Sequence, residues 1–381
     1  MSKEYKIGLL GFGSMGKTHL YSVTSVPFYY PNCGFYGKYK SVCTSNIDSA
    51  ERAKSEYYFD LATDSEDDVI FDDEIDIVDI CTPNIYHYES AKKAILAGKH
   101  VLCEKPLAIN SQQAKELNSL AAEAFEKNGQ VCGMVFNNRH LSAIKRAKQL
   151  IESGRLGRIL SFDFKYLHNS CLDPDRCVGW KQDASVCGAG TLFDLGSHVV
   201  DLCRCLCGEF SSIYSKEQIA FDNHKTSDGS LWQTNADEAA YMIATLACGA
   251  VGTLTVGKIN IGENDGLTFS IYGTDGAVKF DLMEPNWLWF YDSHAEGGVF
   301  GGSRGFTKIE CVGRYEAPGG KFPSPKAPEG WMRGHIGSMY SFLNSVFTGK
   351  LPCPSFEDGY KVQVVLDAAQ RSFSEGKEIY L

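Results

Sequence analysis

The sequence predicts an α/β chain of two domains: a doubly wound parallel sheet over residues 1–137, then an α+β domain over residues 138–381. Three observations predict it. The apolar run KIGLL (Lys6–Leu10) flows straight into the glycine-spaced turn GFGSMG. Behind it, apolar runs of strand length alternate with helical stretches as far as QVCGMVF (Gln130–Phe136), the pattern of βαβ units closing a parallel sheet. Beyond that point the rhythm changes to β-rich runs separated by Gly, Asp and Asn turns. A chain of 381 residues is also too long for one ordinary core.

KIGLL has the length of a strand buried on both faces. In the turn that follows, Gly11 permits the tight bend, Gly13 lets backbone approach a pyrophosphate, and Gly16 lets the next helix pack on the strand. Ser14 and Met15 lead into a helix over Lys17–Ser25, whose N-terminal N–H groups and dipole suit phosphate. The aromatic stretch PFYYPNCGFYGKYK is expected as a loop over a ligand or an interface, with local packing as the alternative. KSVCT (Lys40–Thr44) reads as a strand, DSAERAKSEY (Asp48–Tyr57) as a helix, and IDIVDICT (Ile75–Thr82) as a strand. YHYESAKKAILAG is a helix closed by Gly98, and HVLC is a strand. NSQQAKELNSLAAEAFEKNG is a helix capped by Asn110 or Ser111.

In the second domain GRILSFDFKYLH, DEAAYMIATLA, AVGTLTVGKI, LTFSIYG, GAVKFDLM and NWLWFYD read as strands. TLFDLGSHVVDLC reads as one helix, on which Asp194 and His198, four apart, project from one face. The Pro/Gly-rich segment Gly301–Trp331 is expected as a surface connection rather than a lid.

Composition excludes some classes of partner. With 37 basic and 47 acidic residues, a net charge of −10 and no Lys/Arg run, nucleic acid and anionic membrane are poor partners. The apolar run near the start is short for a signal peptide, and no segment approaches the ~20 apolar residues of a membrane span, so a cytoplasmic protein is expected. The 14 cysteines include no CxxC pair; Cys43, Cys81, Cys103, Cys132 and Cys248 lie in apolar runs as small hydrophobes of a reducing compartment. Cys203, Cys205 and Cys207 cluster, but on a helix Cys205 points away from the other two and a fourth ligand is missing, so no metal is expected.

The glycine turn, the wording CTPNIYHYESAKKAILAGKHVLCEKPLA (Cys81–Ala108) and GTLFDLGSHVVDL together resemble the Gfo/Idh/MocA oxidoreductases, a family that includes inositol dehydrogenases and glucose-fructose oxidoreductase. The resemblance covers essentially the whole chain, down to the closing FEDGYKVQVVLDAAQRSFSEGKEIYL. It implies a Rossmann first domain and a second domain with a large open, mostly antiparallel sheet. The outer face of such a sheet commonly forms a homodimer or homotetramer. It also implies NAD(P)-dependent hydride transfer between nicotinamide and a secondary hydroxyl or keto carbon of a sugar, inositol or sugar derivative.

Such a reaction needs a base for the hydroxyl proton and a fixed positive charge beside the developing alkoxide. By resemblance these roles fall on Lys105 of the EKP triplet and on Asp194 and His198 of DxxxH. Lys105 would hold the substrate oxygen, and Asp194 a second hydroxyl or His198; whether Lys105 or His198 is the base stays open. Cofactor contacts are expected from Gly11, Gly13, Ser14, Met15 and Gly16, from Thr44, Ser45 and Asn46 after the second strand, and from Thr82, Pro83, Asn84, His87, Glu104 and Lys105. An acid at the end of the second strand would read an NAD ribose; Thr44–Asn46 carry none, which tilts the expectation to NADP unless Asp48 takes that place, with Arg52 a turn later. Asn137 and Arg139 are cofactor, substrate or linker residues. Substrate contacts are expected from Tyr166 and Trp180, with His168 and Lys181 beside them and His335 a weaker candidate; Asp201 is expected on the helix surface. Two other readings share this fold: an enzyme that keeps the nicotinamide as a bound redox relay without net oxidation, and a non-catalytic nucleotide-binding regulator. The presence of both Lys105 and His198 weighs against the second.

Overall fold

In the computed structural model, which describes residues 2–173 and 177–381, the chain divides into two units. The first comprises Met1–Asn137, Tyr315–Pro325 and Met332–Gln363; the second comprises Asn138–Arg314, Lys326–Trp331 and Val364–Leu381.

The first unit is built on β1 (Lys3–Leu10), β2 (Phe35–Cys43), β3 (Leu61–Thr63), β4 (Ile77–Ile80), β5 (His100–Cys103) and β6 (Cys132–Met134), all parallel. The helices between them are α1 (Ser14–Tyr29), α2 (Ile47–Tyr57), α3 (Glu66–Ile70), α4 (Asn84–Leu96) and α5 (Ser111–Asn128). The strand order β3-β2-β1-β4-β5-β6 reverses between β1 and β4. Ligands of such sheets bind at that reversal, outside the strands' carboxyl ends. Caps follow the expected chemistry: Asn110 accepts the Gln113 N–H at the start of α5, and Gly129 closes it in the left-handed region.

The aromatic stretch is not a loop. Its first residues complete α1 beyond Ser25, where Pro27 falls in the last turn, and its later ones extend β2, because Phe35–Lys38 pair with Lys3–Lys6. Packing is the physical reason. Tyr30, Phe35 and Tyr39 are buried in the unit's core, and Tyr30 stacks on Tyr340 with centroids 3.7 Å apart. Tyr340 belongs to α10 (Trp331–Thr348), whose Ile336, Met339, Phe342 and Leu343 join the same core as Ile7, Leu9 and Val26. A segment that the sequence assigns to the second domain thus completes the first hydrophobic core. Strand β3 and helix α3 were not expected: three and five residues are too short to show periodicity.

The second unit opens with α6 (Ser142–Glu152) and β7 (Ile159–Leu167), followed by α7 (Ala184–Cys187), α8 (Thr191–Asp194) and α9 (Gly196–Cys207). Then come β8 (Phe210–Gln218), the small antiparallel pair β9 (Asn223–Lys225) and β10 (Leu231–Gln233), β11 (Ala239–Leu246), β12 (Val251–Gly257), β13 (Gly266–Gly273), β14 (Gly276–Asp281), β15 (Trp287–Asp292) and β16 (Phe306–Glu310). Helix α11 (Phe356–Glu375) and β17 (Ile379–Tyr380) close the chain. Among the described residues one sheet has the order β16-β15-β14-β13-β7-β12-β11-β8-β17, antiparallel except between β12 and β7. Burial alternates along β11: Met242, Ala244 and Leu246 are buried, while Tyr241 and Ile243 face outward. Helices α6, α8 and α9 pack on the sheet.

Two further expectations change here. The Gly301–Trp331 segment contributes an edge strand, β16, so it is not merely a connection. TLFDLGSHVVDLC is not one helix but α8 and α9, parted at Leu195 just before Gly196. Glycine weakens a helix interior, and the start of α8 is tied to a neighbouring strand connection, which fixes where that turn lies.

Candidate active site

The glycine turn shows why each glycine is needed. Gly11 has φ +90°, and a Cβ there would lie 2.6 Å from the Cys81 carbonyl oxygen. At Gly16 a Cβ would lie 2.3 Å from the Gly11 oxygen, so a side chain would push α1 off the strand. At Gly13 a Cβ would meet nothing within 4 Å. Gly13 is also the N-cap of the 16-residue α1, which has no side-chain cap and no acid in its first turn. Ser14, Met15 and their neighbours therefore offer uncapped N–H groups beside an open backbone surface, which suits a pyrophosphate. Across the reversal of strand order, the buried Thr82 hydroxyl has no hydrogen-bond partner among the described residues. An orphaned hydroxyl at this edge fits a bound dinucleotide. Next to β2, the Thr44 hydroxyl donates to the Asn46 carbonyl, the Asn46 side-chain oxygen caps α2 at the Ser49 N–H, and Ser45 is exposed. Asp48 lies in the first turn of α2.

A buried charged cluster lies around the ends of β4 and β5. His19 of α1 lies with Nδ1 3.0 Å from both Asp79 oxygens and Nε2 3.1 Å from Glu104 Oε1. The Tyr39 hydroxyl donates to Asp79 at 2.5 Å, and the Lys105 N–H donates to Glu104 Oε2 at 3.0 Å. Burial alone would lower the His19 pKa, but the charge and hydrogen bond of Asp79, with Cys81, raise it well above the imidazole range. Burial alone would raise Glu104, but the hydrogen bond and charge of His19, then the charge of Lys105, hold it at about 2. Glu104, expected among the cofactor contacts, thus has both oxygens engaged inside the protein. His87 corrects the sequence reading in the same way. It is buried, with Nδ1 2.7 Å from the Pro106 carbonyl and Nε2 2.9 Å from the Thr82 carbonyl, so its ring ties two loops together instead of facing a ligand. Burial lowers its pKa, so the neutral ring donates to one of the two carbonyls. Lys105 itself is half-buried, between buried Glu104 and Pro106.

In the second unit Asp194 ends α8 with its carboxylate between two ammonium groups, Lys181 at 2.9 Å and Lys258 at 2.8 Å. Lys258 is buried at the end of β12; burial lowers its pKa, yet the charge and hydrogen bond of Asp194 leave it raised overall. Asp237 accepts the Gly190 and Leu192 N–H groups at the start of α8, and burial lifts its carboxyl to about 6. A Cβ at Gly190 would lie 2.0 Å from the Asp237 carbonyl oxygen, so only glycine permits this approach. His198 stands in the first turn of α9, its ring 5.8 Å from that of Tyr166. The Tyr166 hydroxyl donates to Asp265 at 2.7 Å, and His168 Nε2 lies 3.2 Å from the same oxygen. Burial would raise Asp265, but the hydrogen bonds of His168 and Tyr166, with the charges of His168 and His198, lower it.

The structure thus gathers Tyr166, His168 and His198, and sets Lys181 on Asp194. Trp180 is 38% exposed, with the Lys181 ammonium 5.6 Å from its ring centre, so it is a surface aromatic. Asp201 is not a surface residue: it is buried and bound through both oxygens by Arg139, at 2.8 and 2.5 Å, which makes Arg139 a packing residue of this unit. His335 belongs to the first unit, where burial, with the charges of His19 and Lys105, depresses it to about 3. Lys258, Asp237 and Asp265 escaped the sequence reading. A lone lysine ending the apolar run GTLTVGK was the available sign for the first; the two aspartates sit in turns where that residue is common. Among the described residues, no helix is long and apolar enough to cross a membrane.

A parallel sheet with an uncapped glycine-turn helix at its reversal point, on a chain that also carries a large mixed sheet, defines a two-domain dinucleotide-binding architecture. The chain belongs to the Gfo/Idh/MocA oxidoreductase family: residues 5–135 match its NAD-binding Rossmann fold and residues 148–381 its C-terminal alpha/beta domain. It is 30% identical over 97% of its length to levoglucosan dehydrogenase of Pseudarthrobacter phenanthrenivorans, covering 96% of that protein. It is 26% identical over 95% of its length to glucose-6-phosphate 3-dehydrogenase of Bacillus subtilis, covering 94% of that protein. The solved complex of levoglucosan dehydrogenase with NADH and levoglucosan matches with a TM-score of 0.92 at 30% identity over 99% of each chain.

Proposed function

We propose that this protein is a nicotinamide-dependent dehydrogenase that oxidises a secondary hydroxyl of a sugar, or reduces the corresponding ketone. The observation that carries the reading is the open backbone at Gly13 beneath an uncapped helix end, with an orphaned Thr82 hydroxyl at the same sheet edge. The dinucleotide, when bound, supplies the hydride acceptor. Gly11–Gly16 hold its phosphates, and Thr44, Ser45, Asn46, Thr82, Pro83 and Asn84 line its path. Without a carboxylate at 44–46, the ribose end tolerates the 2′-phosphate of NADP as well as NAD. Levoglucosan dehydrogenase, whose solved complexes hold NADH, makes NAD the first cofactor to assay.

Lys105 holds the substrate oxygen and stabilises its negative charge, and His198 exchanges the hydroxyl proton. Asp194, held by two ammonium groups, accepts a hydrogen bond from a second sugar hydroxyl. Tyr166, held by Asp265, orients the His198 ring beside it. Residues 1–137, with the segments 315–325 and 332–363 that complete their unit, serve as the cofactor domain, and the second unit as the substrate domain. The outer face of the large sheet, with Tyr214, Tyr241, Ile243, Val251 and Tyr272 exposed, pairs subunits into a homodimer or homotetramer. The thiol-rich chain is placed in the reducing cytoplasm.

The test is a panel of levoglucosan, glucose 6-phosphate, free aldoses, polyols and sugar acids, each with NAD and with NADP, with Lys105→Ala as control. Growth of the reduced-nicotinamide absorbance with at least one sugar, lost in the variant, is the expected result. Undiminished activity in Lys105→Ala would overturn the role given to Lys105.

A further inference from the structure

The buried line Tyr39–Asp79–His19–Glu104 ends on the backbone of Lys105, and the reaction outlined above makes no direct use of it. The His19 ring meets a carboxylate on each side, Asp79 at Nδ1 and Glu104 at Nε2, with the Cys81 sulfur also 3.1 Å from Nδ1; the carboxylates only accept. A neutral imidazole donates from one nitrogen, so a ring that donates to a carboxylate on each side, as the raised pKa of His19 supports and the carbonyl-flanked His87 does not, carries both protons. Glu104 is held just as fully, Oε1 by His19 and Oε2 by the N–H of the next residue. On the other flank, the His87 ring lies 2.7 Å from the Pro106 carbonyl. The Lys105 N–H thus meets a carboxylate fixed by one buried histidine, and the next carbonyl lies against the ring of another.

We propose that His19, fixed by Asp79, is a positioning residue that sets Lys105 through Glu104. Stability does not require such a device, because well-packed apolar side chains often replace a buried ion triad at no cost. What a charged, doubly bonded ring adds is direction: it holds one carboxylate oxygen so that the other must meet the Lys105 N–H. A metal ion is a poorer use of the same atoms. His19, Asp79 and Cys81 bring ligating atoms within 4.8 Å of one another, but the ring nitrogen facing them donates to Asp79, and burial drives the Cys81 thiol pKa far up. The charged and titratable groups around His19 are Asp79, Tyr39 and Cys81 on one side and Glu104, Lys105 and His335 on the other.

The positioning role rests on the reading of Lys105 given above for its kinetic consequence, but not for its structural one. Amide hydrogen exchange over Cys103–Ala108, where Pro106 has no amide, reports the Lys105 N–H without any substrate. In His19→Gln that amide is expected to exchange about tenfold faster or more, the loss of one charge-assisted hydrogen bond, with β1 and α5 unchanged. With a sugar found active in the panel, kcat falls about tenfold while KM for the cofactor stays within about twofold, and the double variant His19→Gln/Glu104→Ala is no slower than Glu104→Ala alone. Should His19→Gln fail to fold, Glu104→Ala carries the same exchange measurement. Unchanged Lys105 exchange in a folded variant overturns the proposal, and so does an equal loss of protection throughout the unit. Full turnover in Lys105→Ala would instead remove the catalytic role of Lys105, leaving the exchange result to judge the clamp by itself.

Discussion

Replacing Gly13 by alanine separates folding from cofactor binding more cleanly than any other change in the glycine turn. Gly13 has φ −78° and ψ −156°, extended backbone that alanine adopts without strain, and its new Cβ would touch no protein atom within 4 Å. Reduced freedom of the unfolded chain should then stabilise the apo protein by about 0.4–1 kcal/mol, a rise in Tm of up to about 3 °C. The same methyl stands where backbone would meet a pyrophosphate. Overpacking there costs about 1–3 kcal/mol, which weakens NADH binding by a factor of about 5 to 150. Thermal scans of the apo protein and fluorescence titration with NADH measure the two halves. Unchanged affinity, or a fall in apo Tm, would refute the assignment of Gly13 as the open floor of the cofactor cradle. Gly16→Ala is the contrast: its Cβ would meet the Gly11 oxygen at 2.3 Å, so stability and affinity should fall together.

Other expectations follow from the second unit. Lys258→Met keeps the volume of a buried side chain but removes one of the two ammonium groups on Asp194; breaking a buried pair from one side costs about 3 kcal/mol, read as a drop in Tm of about 6–12 °C. An unchanged Tm would mean that the Lys258–Asp194 pair is not buried as described. Burial, with the charge of Asp237, lifts the Glu217 carboxyl from its ordinary 4.5 to about 8. The folded state therefore binds the extra proton, and the wild type loses stability as pH rises from about 4.5 through about 8. Glu217→Gln should match the wild type in Tm below pH ~4 and exceed it above pH ~8; a constant difference across that window would count against the shift. Finally, Tyr241→Lys with Ile243→Lys puts charge on the outer face of the large sheet without touching its buried face, so sedimentation should show dissociation while the monomer stays folded.

Legibility in the sequence tracked the range of the interaction involved. Glycine spacing, Asn110 capping and the apolar runs of β1, β4 and β5 are local, and the structure has them where the residues point. The aromatic stretch after α1 misled because its fate depends on Tyr340 and Phe342, three hundred residues further on, which bury it in the first core. His87 and Asp201 look like ligand and surface residues by position, yet each is consumed by a distant partner, the Pro106 carbonyl and Arg139. The break at Leu195 was hidden for the same reason, since Asp237, more than forty residues later, holds the start of α8. The strand ends themselves were legible; the side chains packed around them, which depend on distant partners, were not.

The central claim is that a hydride leaves a sugar carbon for the nicotinamide. Its most direct test uses an active sugar carrying deuterium on the carbon that is oxidised, with the reduced cofactor recovered and analysed by mass spectrometry and NMR. Deuterium at C4 of the nicotinamide ring, mole for mole with ketone formed, is the predicted result. Product formed with the label lost to water, or with no reduced cofactor accumulating, would contradict it.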